Sequence, residues 1–344
     1  MLPKPSIRTL QPYKTKDLTY QIKLDSNEAT RNILTDFKAV LPSDLFLYPD
    51  NYAEQLRQKA ASHYGVEANQ IIAGNGSSEM IEILLKTYIE PGDRVVSFEP
   101  SFSMYRVFSE IYAAKFIPVD TPAPFQFNIN ALIETIKKEH PKIIFLCTPN
   151  NPTGNVLNNE EVLKVLKSTD ALVVVDEAYI EFYDTAQTMI KYLNDYPNLV
   201  VLRTLSKAFG LAGIRLGFLM ANSPLIDVLN TVKAPYNLNA LTQAFGTYAL
   251  KQSSTVLSYL ERVKELRKTL SDAMQSFGIK VYPSYANFVF FESKIDGLFE
   301  KLLAKGVLIR AFRQPLDNFY RVSIGTEEEN HVFIKVLKEV VNHA

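Results

Sequence analysis

The residue of this chain best suited to covalent chemistry is Lys207. It stands in a run of mostly small and apolar residues, Leu202-Arg-Thr-Leu-Ser-Lys-Ala-Phe-Gly-Leu-Ala-Gly-Ile-Arg-Leu-Gly-Phe218. Burial among apolar groups lowers the pKa of a lysine amine and exposes the free base, which is the nucleophilic form. Such an amine can form a Schiff base with an aldehyde. The alternative is a surface lysine in a loop.

Three segments upstream of Lys207 place polar residues directly after strand-like runs. They are Ala73-Gly-Asn-Gly-Ser-Ser-Glu79, Thr148-Pro-Asn-Asn-Pro-Thr-Gly154 and Asp176-Glu-Ala-Tyr179. In the first segment the glycines permit close backbone approach, and a helix start at Ser77 offers N–H groups to a phosphate. The second is a rigid turn built by two prolines and a glycine. Because α/β sheets bind ligands beyond the carboxyl ends of their strands, we expect these segments to meet Lys207 at one site.

The third segment indicates which ligand the site takes. Asp176 follows the apolar run Leu172–Val175, where an acid is costly to bury unless it is paired. A protonated pyridine nitrogen would be such a partner, and Tyr179 could reach a phenolic oxygen of the same ring. Thr204, Ser206 and Arg215 are suited to a phosphate. An aldehyde, a pyridine and a phosphate together describe pyridoxal 5′-phosphate (PLP).

Each segment also has a purely structural interpretation. Ser77 or Ser78 could be the N-cap of a helix with Glu79 in its first turn. Asp176 could cap the helix that follows it, and Arg215 could form a surface ion pair. These alternatives stay open from the residues alone.

The hydrophobic pattern predicts an α/β fold with a large, mostly parallel sheet of seven strands covered by helices on both faces. The predicted strands are Gln70–Ala73, Arg94–Phe98, Ala114–Val119, Ile143–Cys147, Leu172–Val175, Leu199–Arg203 and Gly217–Met220. From about Pro224 the pattern changes to long helical stretches, among them Leu238–Leu270, and then to short strands. We therefore predict an N-terminal arm over 1–30 that joins the small domain, a large domain over 31–235 and a smaller α+β domain over 236–344.

Composition narrows the class of protein. The 344 residues carry 37 basic and 37 acidic side chains, which argues against a nucleic-acid partner. No apolar run reaches the roughly 18 residues that a membrane helix needs, and the first residues lack the apolar core of a signal peptide. The single cysteine, Cys147, excludes an internal disulfide, and no metal site is predicted. We expect a cytoplasmic protein with a reduced core cysteine.

The sequence resembles the fold-type I PLP-dependent aminotransferases over essentially its whole length. The resemblance lies in the Asn-Pro-Thr-Gly turn, in Asp176-Glu-Ala-Tyr179 and in the pattern Ser-Lys-x-Phe-Gly-Leu-Ala-Gly-x-Arg-x-Gly. Within that family the chain is most similar to the histidinol-phosphate aminotransferase branch. That likeness is carried by the length and by Leu24–Glu28, Tyr48-Pro-Asp50, Leu202–Lys207 and Arg321–Thr326.

The resemblance implies a role for each matching position. Lys207 would hold the cofactor covalently, Asp176 would pair with its pyridine nitrogen, and Tyr179 with Asn151 would contact its phenolic oxygen. Tyr105, or Phe102 in its place, would stack on the ring. The phosphate would be held by Gly76, Ser77, Ser78, Thr204, Ser206 and Arg215, although relatives often have Asp where Ser78 stands. Tyr48 would reach the phosphate of a second subunit, which implies a homodimer with shared sites.

On the substrate side, Arg321 would bind substrate anions, assisted by Arg310 unless the latter is in a surface ion pair. Tyr13 and Asn27 would contribute from the N-terminal arm. The implied reaction is transamination between L-histidinol phosphate and 2-oxoglutarate, giving imidazole-acetol phosphate and L-glutamate. The alternatives are an aromatic amino acid aminotransferase and a threonine-phosphate decarboxylase of the same fold. A PLP-binding transcription regulator would need a DNA-binding region, which we do not expect here.

Overall fold

The computed structural model describes residues 4–8, 10, 18–30, 32, 34–35 and 40–343. Its strands are β1 (Ile22–Lys23), β2 (Ile71–Asn75), β3 (Arg94–Glu99), β4 (Lys115–Asp120), β5 (Ile143–Cys147), β6 (Leu172–Asp176), β7 (Leu199–Thr204), β8 (Leu216–Met220), β9 (Lys280–Tyr282), β10 (Phe288–Glu292), β11 (Val307–Leu308), β12 (Arg310–Ala311) and β13 (Phe319–Ser323). Its α-helices are α1 (Glu54–Tyr64), α2 (Gly76–Tyr88), α3 (Met104–Ile111), α4 (Ile129–Glu139), α5 (Asn159–Lys167), α6 (Ser223–Asn230), α7 (Ala240–Lys251), α8 (Ser254–Ser276), α9 (Leu298–Ala304) and α10 (Glu327–Asn342).

The large sheet contains the seven predicted strands in the order β2-β8-β7-β6-β5-β3-β4. Strand β8 runs antiparallel to both of its neighbours, and every other pair is parallel. The central strands β5, β6 and β7 are buried along their whole length, which explains why their sequences are almost entirely apolar. The predicted α/β class with a mostly parallel seven-stranded sheet is confirmed.

A second, smaller sheet forms from the C-terminal third of the chain. It is antiparallel, in the order β12-β13-β10-β9. Beside it the arm strand β1 pairs in parallel with β11, with Ile22 opposite Val307. The N-terminal arm therefore lies against the C-terminal part of the molecule. Helix α7, which lies beyond the predicted boundary at 235, packs against α1. The three domain boundaries stay a prediction.

The prediction of one helical stretch over Leu238–Leu270 is wrong in one respect, because the structure forms two helices there. Helix α7 ends at Lys251 and α8 begins at Ser254. Serines at 253 and 254 weaken a continuous helix because their hydroxyls compete for backbone hydrogen bonds. The apolar periodicity continues through the break, so the sequence pattern does not indicate that the helix is interrupted. In the described part of the chain no helix is long and apolar enough to cross a membrane.

The sheet brings the chemistry-bearing segments to one edge. Asp176, the last residue of β6, lies opposite Cys147, the last residue of β5. On the other side Thr204 ends β7 and lies opposite Gly217 of β8, which itself pairs with Gly74 of β2. The carboxyl ends of the central parallel strands therefore open onto the start of α2 and onto Lys207.

Candidate active site

Lys207 follows the end of β7 and points toward the N-terminal arm. Its Nζ donates to the backbone oxygens of Ser26 (3.1 Å) and Asn27 (3.2 Å). It also lies 5.8 Å from the centroid of the Tyr179 ring. Burial, together with the nearby positive charge of Arg321, lowers the pKa of the Lys207 amine to about 7. Near neutral pH a large share of this amine is therefore unprotonated, which distinguishes it from a lysine in a surface loop.

Asp176 is a buried acid, with 3% of its surface exposed. Its carboxylate accepts from the Tyr105 hydroxyl (2.7 Å) and from the N–H of Ala178 (3.1 Å). Burial raises the pKa of Asp176 to about 6, and these two hydrogen bonds oppose the rise. Among the described residues Asp176 makes no ion pair. Its ionised form is therefore disfavoured unless a cation is placed beside it.

The sequence offers Tyr105 or Phe102 as the ring-stacking aromatic, and the structure gives Tyr105 other partners. It is fully buried, its hydroxyl binds Asp176, and its ring stacks on Phe145 with centroids 4.5 Å apart. A ring buried in this way has no exposed face for a ligand. Phe102, half-buried at the end of β3, lies edge-on to Tyr105 at 5.4 Å. The geometry therefore favours Phe102 over Tyr105 as the stacking aromatic.

Asn27 joins the arm to the sheet edge. It is buried, and its Nδ2 donates to the Tyr179 hydroxyl at 3.1 Å. Its backbone oxygen accepts from Lys207 and from the side chain of Asn287. Burial raises the pKa of Tyr179 to about 12, so this phenol stays protonated at neutral pH and can donate a hydrogen bond. The structure thus brings Asn27, Tyr179 and Lys207 together.

Arg321 extends from β13 into the same region. Its guanidinium donates to the side-chain oxygen of Asn151 and to the backbone oxygen of Asp25, the latter at 2.7 Å. It lies 5.3 Å from the centroid of the Phe288 ring. Arg310 of β12 is directly opposite Arg321 in register, but its side chain is exposed and lies near Phe312. No ion pair involves Arg310 among the described residues.

The start of α2 and the turn before β8 form a cradle of hydrogen-bond donors. Gly76 has φ 74°, and a Cβ there would lie 2.7 Å from a guanidinium nitrogen of Arg215. A Cβ at Gly217 would lie 2.4 Å from the backbone nitrogen of Ser77, so β8 holds the helix start closely. Thr204 Oγ1 and Ser206 Oγ are 3.0 Å apart at the end of β7. A guanidinium, helix N–H groups and two hydroxyls suit a phosphate.

The purely structural interpretations of Ser77, Ser78 and Arg215 do not hold for this cradle. The N-cap of α2 is Asn75, and its side chain makes no capping hydrogen bond. Ser77 and Ser78 lie inside the first turn, half-buried. Arg215 is exposed, its Nη1 donates to the backbone oxygen of Ala212, and it forms no ion pair with the described residues.

One predicted residue, Tyr48, lies away from this constellation. Tyr48 is 82% exposed and stacks on Tyr236 with centroids 4.8 Å apart. Its side chain lies at the surface of the molecule and not at the sheet edge that carries the site in its own chain. Tyr13 lies outside the described residues.

The sequence did not reveal the residues that hold the site together. Ser323 and Asn287, far along the chain, bind Asn27: its N–H donates to Ser323 Oγ at 2.8 Å and its oxygen accepts from Asn287. Asn237 donates to Glu79, which also accepts from Asn75 at the start of α2. The available signal was weak: Asn287 is a polar residue beside the apolar run of β10.

Comparison with known proteins agrees with this geometry. Residues 19–337 match the family described as aminotransferase class I and II, and the chain belongs to that family. The histidinol-phosphate aminotransferase of Thermoanaerobacter pseudethanolicus is 36% identical over 348 residues, which cover 99% of each chain.

Solved structures agree in fold. The histidinol-phosphate aminotransferase of Sinorhizobium meliloti, crystallised with PLP, has a TM-score of 0.88 at 22% identity, covering 94% of this chain and 92% of that one. The enzyme of the same name from Clostridium acetobutylicum has a TM-score of 0.85 at 24% identity, covering 94% of this chain and all of that one (100%).

The expected enzyme class and cofactor are confirmed: the chain is a PLP-dependent aminotransferase. The resemblance to the histidinol-phosphate aminotransferase branch is confirmed as well. The residues present fit the cofactor. The donors of the cradle suit its phosphate, the buried Asp176 lacks the cation that a pyridinium would supply, and Lys207 has the lowered pKa that attack on an aldehyde needs.

The buried charge of Asp176 gives a first prediction, on the apoprotein. Folding raises its pKa from 3.8 to about 6, so ionisation costs stability as pH rises through that interval. Asp176→Asn should therefore stabilise the apoprotein at pH 7 by up to about 3 kcal/mol and have little effect near pH 4. Urea unfolding of both proteins at the two pH values measures this. Equal stability at pH 7 would contradict the raised pKa.

The second prediction concerns the Lys207 amine. In the apoprotein its reductive methylation, followed by mass spectrometry, should show a midpoint near pH 7, as its pKa of about 7 implies. Surface lysines in the same digest serve as controls with ordinary midpoints. Arg321→Met removes a positive charge that lowers this pKa, so the midpoint should move upward. A Lys207 midpoint equal to that of the surface lysines would contradict the lowered pKa of its amine.

Proposed function

We propose that the protein transfers the amino group of L-histidinol phosphate to 2-oxoglutarate, giving imidazole-acetol phosphate and L-glutamate, a step of histidine biosynthesis. The observation that carries the proposal is the buried Arg321, which lies near enough to Lys207 to lower the pKa of its amine. The full-length similarity to histidinol-phosphate aminotransferases supports the choice of substrate.

Lys207, Asp176 and Tyr179 form the proposed catalytic group. When bound, PLP draws electrons from the substrate carbon, and this makes its proton removable. Lys207 would hold the cofactor through its aldehyde, and its amine, once released, would carry the proton removed from the substrate carbon. Asp176 keeps the ring nitrogen protonated by supplying the opposite charge. Tyr179 donates to the phenolic oxygen, and the amide nitrogen of Asn151 is free to do the same while its oxygen binds Arg321.

The remaining cofactor contacts follow from the cradle. We assign the phosphate to Gly76, Ser77, Ser78, Thr204, Ser206 and Arg215. Backbone N–H groups supply much of this binding, so Ser78 can replace the Asp of relatives. Phe102 covers the ring, and Tyr105 holds Asp176 from beneath.

Arg321 accounts for the two chemically different substrates. Histidinol phosphate carries a phosphate and no α-carboxylate, whereas glutamate carries carboxylates. A guanidinium binds either anion in bidentate fashion. Arg310, opposite Arg321 in register, is placed to add a second positive charge. We assign Asn27 and Tyr13 of the arm to the substrate side of the pocket.

A substrate panel tests this function. Purified holoenzyme is assayed with histidinol phosphate, phenylalanine and threonine phosphate, each with 2-oxoglutarate, and Lys207→Ala serves as the inactive control. We expect kcat/KM for histidinol phosphate to exceed that for phenylalanine by at least about tenfold, because only the phosphate substrate meets both arginines. A preference for phenylalanine would identify an aromatic aminotransferase instead. Release of CO₂ from threonine phosphate would identify a decarboxylase.

We further propose that two copies associate through the surface formed by residues 41–52. Its exposed apolar side chains are Leu41, Leu45, Phe46, Leu47, Tyr48 and Tyr52. A row of this kind is typical of a protein–protein interface. In the dimer Tyr48 would reach the phosphate in the partner's site, so that each site is completed by the other subunit.

The homodimer gives a further prediction. Phe46, which is 83% exposed, would be buried at the interface, so Phe46→Asp should shift the protein from dimer to monomer and weaken PLP binding. Leu257→Asp, at an exposed position of α8, is the matched control and should remain dimeric. Tyr48→Phe should keep the dimer and weaken PLP binding several-fold through the lost hydroxyl. Sedimentation velocity and PLP titration measure both effects; a monomeric wild-type protein would refute the proposal.

We place the enzyme in the cytoplasm. Its one cysteine, Cys147, is free and buried beside Asp176, where burial raises the pKa of the thiol. A protein that keeps a single reduced thiol in its core suits a reducing compartment.

A further inference from the structure

A buried charged cluster lies behind the active site, on the opposite face of the large sheet from the Asp176 side chain. It consists of Glu177, which follows Asp176, Arg203 near the end of β7, and Glu181. Arg203 Nε lies 2.9 Å from a Glu177 oxygen, and its Nη1 lies 2.7 Å from a Glu181 oxygen. These groups are among the most buried charges of the described chain, and the proposed chemistry uses none of them.

The cluster is held from several sides. Thr188 Oγ1 donates to Glu177 at 2.7 Å and accepts from Arg203 at 3.2 Å. The second oxygen of Glu177 accepts from the N–H of Met189 at 2.6 Å. The Arg203 guanidinium also lies 5.3 Å from the centroid of the Tyr64 ring. The end of β6, the end of β7 and the 181–189 segment are thus tied at one point.

A gain in folding stability does not by itself explain why such a charged cluster is buried. Replacing a buried ion pair by apolar side chains of similar volume is often neutral or stabilising, because desolvation offsets the attraction. Burial raises the pKa of Glu181 and the Arg203 charge opposes it, as expected where two acids share one cation. What the ion pair adds is geometry, because the planar guanidinium hydrogen-bonds Glu181 and Thr188 through its two Nη atoms while its Nε lies 2.9 Å from Glu177.

The cluster connects the ends of strands β6 and β7, and these two strand ends carry opposite parts of the proposed cofactor site. Glu177 is bonded along the chain to Asp176, and Arg203 precedes Thr204, Ser206 and Lys207. PLP is a rigid ring, so the carboxylate at its nitrogen and the groups at its aldehyde and phosphate must keep fixed separations. We propose that Arg203 and Glu177 are positioning residues that set the place of Asp176 relative to the Thr204–Lys207 segment. The inference rests on the residue roles given in the proposed function.

A double-mutant cycle on the PLP dissociation constant tests this role. Arg203→Lys keeps the charge and loses the fork that binds both acids. We expect it to weaken PLP binding by roughly tenfold, to lower kcat more than it changes KM, and to alter the circular dichroism of the bound cofactor. In the Asp176→Asn background the same change should have much less effect, because Arg203 acts through Asp176. A purely structural role would give additive effects.

Arg262→Lys is the matched control, because Arg262 also binds two acids, Glu265 and Glu327, but at the surface. It should leave PLP binding and the dichroism unchanged. If Arg203→Lys fails to fold, Thr188→Val removes the hydroxyl that bridges Glu177 and Arg203 and that also accepts from the N–H of Ile190. Thr87→Val is its control, because the Thr87 hydroxyl donates within α2 to the backbone oxygen of Ile83. Thr188→Val should weaken PLP binding in the same direction, by a smaller factor.

Unchanged PLP binding in Arg203→Lys, or an additive cycle, would overturn the inference while the proposed function stands. Failure of the wild-type protein to bind PLP would refute both. With a non-folding Arg203→Lys, wild-type affinity in Thr188→Val would overturn the inference.

Discussion

The structure depends on one unfavourable interaction, the burial of the Asp176 carboxylate without a cation. The apolar strand β6 places this acid at the carboxyl edge of the sheet, where the Tyr105 hydroxyl and the N–H of Ala178 bind it. Its raised pKa measures the cost of that position. In the proposed role of Asp176, a protonated pyridine ring would supply the missing cation. The acid that is costly to bury would then stabilise the cofactor in its electron-withdrawing form.

Two arginines and one buried acid set the charges of the site. In the proposed roles, Arg215 and the start of α2 bind the phosphate, Arg321 binds the substrate anion, and Asp176 supplies the negative charge. Lys207 lies within the field of both arginines, which together with burial lowers the pKa of its amine. With Arg321 binding the substrate anion as proposed, the same arginine also favours the unprotonated, reactive form of Lys207.

The N-terminal arm completes the site through backbone contacts. Lys207 is held by carbonyl oxygens at Ser26 and Asn27, and Asn27 is fixed by Ser323 from the small sheet. The strand pair β1–β11 anchors the arm to the C-terminal part of the chain. The reactive amine thus lies where the large sheet, the small sheet and the arm meet. Motion of the small sheet would carry the arm and Arg321 together.

The sequence by itself determined the elements and the chemistry that depends on local order. Alternation of apolar runs predicted all seven strands of the large sheet within a residue or two, because strand formation follows local pattern and burial. The residues that end β6 and follow β7 could be identified as an acid and a nucleophile, since residues at strand ends in such sheets face the ligand edge. Only the tertiary structure decided which partner each side chain takes. Tyr105 lies three residues from Phe102, yet the Tyr105 hydroxyl binds Asp176 in the core, whereas Phe102 is half-buried and lies edge-on to Tyr105. Asn27 and Ser323 are 296 residues apart, and Arg203 meets Glu177 only because β6 and β7 are neighbours. Such contacts depend on packing between distant segments, which no local pattern encodes.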